Sequence, residues 1–555
     1  MFNWYRLTRN AQTRRASGNL EGKSMHSSWL KQVCVTGATL ILIFGVANNA
    51  MPGMPRTSVR ERMVALAAAT GETGLRSGSR ITGVSVSGSQ SAGTFGGVSY
   101  TRTWGSITGV IVPKENIHGF AALSHDGEGN YRYESEFEII APTKPGVNSV
   151  IIIEGENRGT PVYLNSVNGS KAAGPASTTT YEQGFGDGFL FEHATSYARV
   201  QWQTGIASSV PQQAEGVGEV ILRDFARWLA GRTKLEATQF DPGTYQTLIL
   251  SGISLGGFFV NTFIAEGFNA DPQTGHAVFD GAIAVDGTGN WIALNQLAAA
   301  NGSEEFPYVV PNGKPLDATA ILSRPDSDPY YIDIANYTDF YRLRASLTDR
   351  SDLPAKMRRY DWPSPHAAAP IDQSGASTRA SKCNGGVLVD LNPISYSPYL
   401  RAVTLELERA LGVPSARNAP PLPPTTLFKL GPAPSTTDYF NPLPGATLEV
   451  PLTDADDQPT GGVRFPEADH PIGRPKPVAL PPVATSSIEA TCANLGQWQQ
   501  FTLTQLAERY GDQAKYLNLY AESLDKLISA GYLLPSDRDV MLKTAASLYT
   551  RKPSH

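Results

Sequence analysis

Two kinds of hydrophobic patterning follow one another along the first three quarters of the chain. From about Arg80 to Ile140, apolar and polar residues alternate in stretches such as Tyr131 to Ile140 (YRYESEFEII), with glycine clusters between them. A period of two places one face on a core and the other in water, so this region predicts antiparallel strands joined by tight turns. Val150 to Ile153 (VIII) is instead a short unbroken apolar run, the pattern of a strand buried on both faces in a parallel sheet. Helical and strand signals alternate after it. Strands are expected at Ala198 to Gln203, Tyr245 to Leu250 (YQTLIL), Gly281 to Val285, Tyr330 to Ala335 and Met357 to Asp361, with an amphipathic helix at Glu219 to Ala230. Such alternation predicts the α/β class, a mostly parallel central sheet with helices on both faces.

The pattern changes again near residue 414. Between Pro414 and Pro482, 69 residues hold 17 of the 40 prolines, which forbids long helices and central strands there. This segment is expected to wrap the body as extended chain, with Phe428, Tyr439, Phe440 and Phe465 as anchors. Beyond it, Leu517, Tyr520, Leu524, Leu527 and Ile528 share a helical face that Gly531 stops, and Ser536 to Asp539 resembles a capping box opening a last helix. The expected organisation is a signal-peptide region (1–47), a β-rich N-terminal extension (48–145), an α/β core with lid insertions (146–413), a proline-rich wrap (414–485) and a helical segment packed on the core (486–555). No internal repeat is present.

Composition narrows the functional classes. With 41% hydrophobic and 9% aromatic residues, the 555-residue chain has the material for a large core, which excludes a wholly disordered protein. The formal charge is −5, and no long run of Lys or Arg offers a nucleic-acid footprint, so nucleic acid is not an expected partner. Val33 to Ala47 carries no charge, follows Lys31 and ends in Gly45-Val46-Ala47, small residues at the spacing a signal peptidase accepts. This predicts export to the periplasm or beyond. The run is short of the roughly 20 residues a bilayer span needs. An uncleaved segment at 33–47, anchored in the inner membrane, is the alternative and the one membrane link expected. Cleavage would leave only Cys383 and Cys492, and two thiols in an oxidising compartment are expected to pair. A bridge closing so long a loop contributes on the order of 4 to 5 kcal/mol in the chain-entropy account.

One motif carries the chemistry. Gly252-Ile253-Ser254-Leu255-Gly256 is a GxSxG that follows an apolar strand and runs into a helical stretch, Gly257 to Phe263. Strand, sharp turn and helix are what a nucleophile elbow requires, with glycines where the turn leaves no room for side chains. A serine hydroxyl needs a base to take its proton, and in this topology the acid and then the histidine follow the serine in sequence. Of the downstream histidines, His276 lies too near the nucleophile, His555 ends the chain and His470 sits in the wrap. His366, in a loop of small residues after a strand, is the expected base. Asp339, just past the strand at Tyr330, is the preferred acid over Asp333, Asp361 and Asp286, the last read as pocket wall or turn. For an oxyanion, one backbone donor is expected from Leu255 and a second from Asn157 or Arg158, in the loop after VIII. No HExxH, paired-His spacing or nucleotide-binding glycine loop is present, so neither metal nor cofactor is expected.

These features, with Val200-Gln201-Trp202-Gln203, the stretch Phe465 to Gly473 and Gly531-Tyr532-Leu533-Leu534-Pro535, resemble the secreted "α/β-hydrolase domain-containing" family of large bacterial proteins, from roughly Tyr100 to Ala546. The resemblance implies an α/β-hydrolase fold with a Ser-acid-His triad, supports the Cys383 to Cys492 pairing, and makes the wrap and final helices part of one extended domain. The expected activity is that of an exported serine hydrolase on a small-molecule or lipid-like ester. Insertions at Thr160 to Glu182 and Trp291 to Asp328 are expected to shape a lid. The same triad would serve amides, peptides or lactones, and an inactive hydrolase fold would serve as a binding module.

Overall fold

The alternating region and the unbroken apolar runs join in one sheet. The computed structural model describes residues 78–115, 117–169, 186–205, 207, 209–233, 235, 240–292, 316–366, 380–383, 387–433, 449–477 and 496–551. Nine strands, β1 (Arg80–Phe95), β2 (Val98–Ile111), β3 (Tyr131–Pro142), β4 (Val147–Glu154), β5 (Ser196–Val200), β6 (Thr244–Ile253), β7 (Gly281–Val285), β8 (Tyr330–Asn336) and β9 (Met357–Trp362), lie in the order β1-β2-β3-β5-β4-β6-β7-β8-β9. From β5 to β9 every pairing is parallel, and β1, β2 and β3 add to β5 as antiparallel neighbours. The β-rich N-terminal stretch therefore lengthens the central sheet.

Both faces of the parallel strands are covered, which is why they read as unbroken apolar runs. Ile151 and Ile153 enter one core with Leu248 and Leu250, while Val150 and Ile152 enter the other with Ile249, Ile283 and Ile332. Each such side chain contributes about 1.5 to 3 kcal/mol by leaving water. Seven helices are used below: α1 (Val162–Asn168), α2 (Val217–Leu229), α3 (Leu255–Ala265), α4 (Ser397–Ala410), α5 (Leu503–Tyr510), α6 (Gln513–Ala530) and α7 (Arg538–Tyr549). Helices α2 and α3 cover the first face, and α1, α4 and the C-terminal helices cover the second. Among the described residues no helix is long and apolar enough to cross a membrane. The apolar run at 33–47 lies outside them.

Two aromatic residues of the proline-rich segment are packed into the body. Phe465 is fully buried, stacked on Tyr399 of α4 at 3.4 Å and beside Trp362 of β9, and Phe428 packs on Tyr337 and Phe340. Tyr439 and Phe440 lie outside the described residues. Two expectations are corrected. The strand after Ala198 ends at Val200, because Trp202 turns away to donate its indole N–H to the Glu156 carbonyl at 3.1 Å. The last helix has no capping box, since the Asp537 carboxylate is taken by Arg401 at 2.8 Å. The box sits instead on α5, between Thr502 and Gln505. Cys383 closes the strand Ala380–Cys383, but its side chain and Cys492 lie outside the described residues, as does the expected bridge between them.

Two glutamates of α4 set a pH dependence. Glu406 and Glu408 are buried, the latter accepting from Thr195 Oγ1 at 2.7 Å, and burial pushes their carboxyls up to about 9 and about 8. Both stay protonated in the folded chain while the unfolded chain ionises them above its ordinary 4.5. The stability they contribute is fully present below that pH and is lost as pH rises through the folded values. The denaturation midpoint is expected to be higher near about pH 5 than near about pH 8.5, and the double variant Glu406→Gln, Glu408→Gln to flatten the difference. Separately, Phe465→Ala should lower stability by about 3 to 5 kcal/mol in a denaturant titration.

Candidate active site

The carboxyl ends of β4, β6 and β7 open on one edge of the sheet, with Glu154 level with Ser251 and Ile253 level with Val285. In open parallel sheets that edge is where ligands bind. Ser254 stands between β6 and α3 with φ 58° and ψ −117°, strained backbone for a residue with a Cβ, and its N–H donates to Val285 O at 2.9 Å. Two glycines make this turn possible. A Cβ on Gly252 would lie 2.2 Å from the Gly256 carbonyl oxygen, and one on Gly256 would lie 2.2 Å from the Gly155 carbonyl oxygen. The loop after β4 can press against the start of α3 only because neither position carries a side chain.

Three residues distant in sequence meet here. His366 Nε2 lies 2.8 Å from Ser254 Oγ, and His366 Nδ1 lies 2.8 Å from Asp339 Oδ1. The histidine is held by its own backbone, whose N–H donates to Thr338 Oγ1 at 2.7 Å, and Asp339 Oδ2 accepts the Asn336 N–H at 2.9 Å. His366 is 2% exposed and Asp339 not at all, whereas Ser254 is half-buried. Burial pushes the Asp339 carboxyl up. The facing His366, together with hydrogen bonds from its ring, from Asp286 and from the Asn336 amide, outweighs this and holds it below the ordinary carboxylate range. An ionised carboxylate at Nδ1 leaves Nε2 as the acceptor facing the serine hydroxyl.

The alternatives are occupied elsewhere. Asp333 pairs with Arg359 at 2.6 Å, and Asp361 takes the same guanidinium at 2.9 Å and the Phe428 N–H at 2.9 Å. His470 closes the helical turn Pro466–Asp469, and burial pushes its imidazole down. Asp286 differs. Read from sequence as pocket wall or turn, it lies fully buried with Oδ2 3.5 Å from His366 Nδ1. Its signal was present, an acid directly after a buried strand, but sequence does not show that β7 ends level with the serine.

Among the described residues, Asp286, Asp339 and His366 form the group whose donor atoms, within 4.8 Å of one another, could hold a cation. A cation among them would have to displace the hydrogen bond between Nδ1 and Asp339.

The expected oxyanion donors separate. Leu255 opens α3, where an amide has no carbonyl of its own helix to meet, and it lies next to Ser254. The Asn157 amide, against expectation, closes a turn onto Thr160 O at 3.0 Å. The Arg158 amide donates to Gln203 Oε1 at 3.1 Å, at a backbone φ of 50°. Arg199 braces this loop from beneath, its Nη1 reaching Glu156 Oε2 and Gly159 O at 3.0 Å each, while its other nitrogens hold Glu138. Beside Leu255 lies a shallow cleft walled by Trp202, Val210 and Ile292, with Gln203, Glu215 and Glu219 as polar groups. Of the expected lid insertions, Thr160 to Asn168 includes helix α1, whose Tyr163 hydroxyl meets Thr404 of α4 at 2.7 Å. Residues 170–185 and 293–315 lie outside the described residues.

A family model described as an alpha/beta hydrolase domain matches residues 191–543. No curated protein matches. Similar solved structures include the rice cell wall degrading esterase LipA from Xanthomonas oryzae, at 10% identity and TM-score 0.22 over 40% of this chain and 52% of that one. A CE15 glucuronoyl esterase from Teredinibacter turnerae has 13% identity and TM-score 0.28 over 54% and 79%, and a glucuronoyl esterase from Solibacter usitatus 11% and 0.25 over 51% and 77%. The match spans about half the length of the LipA chain. At this level the likenesses carry nothing about reaction or substrate.

The contact between Gly256 and Gly155 gives a direct test of how closely the site is set. Gly256→Ala must push the loop after β4 away from the serine, and displacements near 1 Å reduce rates by on the order of 10²-fold. A loss of that size in the labelling rate of Ser254 by an active-serine probe, in a protein with native circular dichroism, is the expected outcome.

Proposed function

The chain belongs to the alpha/beta hydrolase domain family, and on that premise we propose that it is an exported serine hydrolase of carboxylic esters, working through Ser254, His366 and Asp339. The observation that carries this reading is the continuous chain of contacts from Ser254 Oγ through His366 to Asp339, each 2.8 Å long. Ser254 Oγ attacks the ester carbonyl as its proton passes to His366 Nε2. The tetrahedral oxyanion is met by the Leu255 amide at the start of α3, and by the Arg158 amide when the Gln203 side chain gives way. The C–O bond to the alcohol then breaks, the alkoxide takes the proton from His366, and an acyl-enzyme remains on Ser254. Water attacks the acyl carbon with His366 as base, which releases the carboxylic acid and restores the serine. Asp339 holds the Nδ1–H tautomer and stabilises the imidazolium without taking a proton.

The cleft beside Leu255 supports a small-molecule ester, part of which would sit against Trp202, Val210 and Ile292. Esters are favoured over amides because an alkoxide leaves more readily than an amine. The export half of the proposal rests on the apolar run Val33 to Ala47 and its small-residue end.

A fluorophosphonate probe should label the purified protein, and p-nitrophenyl esters should be turned over. Both activities are expected to fall by at least about 10³-fold in Ser254→Ala and His366→Ala. A folded wild-type protein that takes no label would overturn the proposal in favour of a binding module. Turnover of anilides in preference to esters would move it to an amidase.

A further inference from the structure

Asp286 is the buried acid that the mechanism above does not use. It follows β7, the strand next to the one that delivers the serine, and it is tied to both neighbours. The Ser254 N–H donates to Val285 O at 2.9 Å, and the Asp286 N–H donates to Ile334 O at 2.8 Å. Its backbone has φ 58°, a left-handed conformation that glycine would adopt freely. Its carboxylate is fully buried, with Oδ2 3.5 Å from His366 Nδ1, where Asp339 Oδ1 stands at 2.8 Å. Asn336 fixes its orientation. The Asn336 side-chain amide donates to Asp286 Oδ1, and its carbonyl end accepts from the hydroxyl of Ser364, two residues before the histidine.

From this geometry we propose that Asp286 is a second carboxylate of the base, a positioning residue that shares the His366 Nδ1 side with Asp339 and takes over its role when Asp339 is lost. The proposal rests on the reading of Ser254 and His366 as nucleophile and base. Among the described residues, Asp339 and His366 are titratable groups facing Asp286. On the α3 side its neighbour Gly287 meets uncharged Asn261 and Gly257. The two carboxyl groups stand on the same side of Nδ1 in a buried site, where both cannot ionise, so they share one proton and the pair carries one negative charge. During attack the serine proton moves to Nε2 and the shared proton stays between the acids. The Nδ1–H then faces two acceptors on different loops, and a displacement of about 0.7 Å would bring Asp286 to the distance Asp339 holds now.

A single orienting acid, replaced by its amide, costs on the order of 10⁴-fold where no second acid stands by. Here Asp339→Asn is expected to reduce kcat/KM and the fluorophosphonate labelling rate by only about 10- to 100-fold, and Asp286→Asn by about 3- to 10-fold. The double variant should fall by on the order of 10⁴-fold, beyond the product of the singles. The acid limb of the labelling-rate profile should stay in place in each single variant, which keeps one ionised carboxylate beside the imidazole, and should move to lower pH in the double, which removes that charge. Failure of Asp286→Asn to lower activity further in the Asp339→Asn background, or a loss for Asp339→Asn alone as deep as Ser254→Ala, overturns the proposal. If Asp339→Asn does not fold, the Asp286→Asn single variant decides by its labelling rate, an unchanged rate sinking the idea. A wild-type protein that takes no label fails at the hydrolase reading itself, a result separate from any of these.

Discussion

Everything at the sheet's carboxyl edge depends on how closely three backbone segments approach one another at residue 254. The end of β6, the start of α3 and the loop after β4 meet with carbonyl oxygens where Cβ atoms would otherwise stand, and Gly252 and Gly256 are what allow it. That approach holds Ser254 in a strained conformation and starts α3 at the next residue, Leu255. Such strain persists only when the surroundings fix it, and here they do so through the N–H donated to Val285 and the packed core beneath α3.

Buried charge then sorts the acids. Arg359 neutralises Asp333 and Asp361, and Arg199 neutralises Glu138 while bracing the loop at Glu156 and Gly159. Asp339 and Asp286 are not taken by an arginine among the described residues, and both face His366. An ion pair in a protein interior is weak support for stability, because desolvation offsets much of its attraction. Its consequence here is placement, since a carboxylate bound to a guanidinium is removed from competition for the imidazole.

The proline-rich tail is joined to the same edge. Phe465 packs on Trp362 at the end of β9, and the Asp361 carbonyl and carboxylate accept from Val463 and Phe428 of the tail. His366 stands four residues beyond Trp362. The tail therefore holds the strand that leads to His366, and α4, through Tyr399, completes the stack.

Much of this was legible along the chain because its determinants are local. Period two, unbroken apolar runs and helical spacing marked most elements, since a strand buried on two faces must be apolar throughout, as Val150 to Ile153 is. The GxSxG signalled the sharp turn because only glycine fits beside it. What tertiary structure alone decided were matters of register and reach. That β1 to β3 lengthen the central sheet depends on β3 pairing with β5, a non-local hydrogen-bond ladder. That Asp286 belongs beside His366 depends on β7 and β8 ending level with the serine. Which amide is left for an oxyanion depends on a turn between Asn157 and Thr160 and on the side chain of Gln203, far along the chain. Local preference is set by a residue and its immediate neighbours, whereas a partner across the sheet is chosen by the packing of the whole core, which no short stretch of sequence encodes.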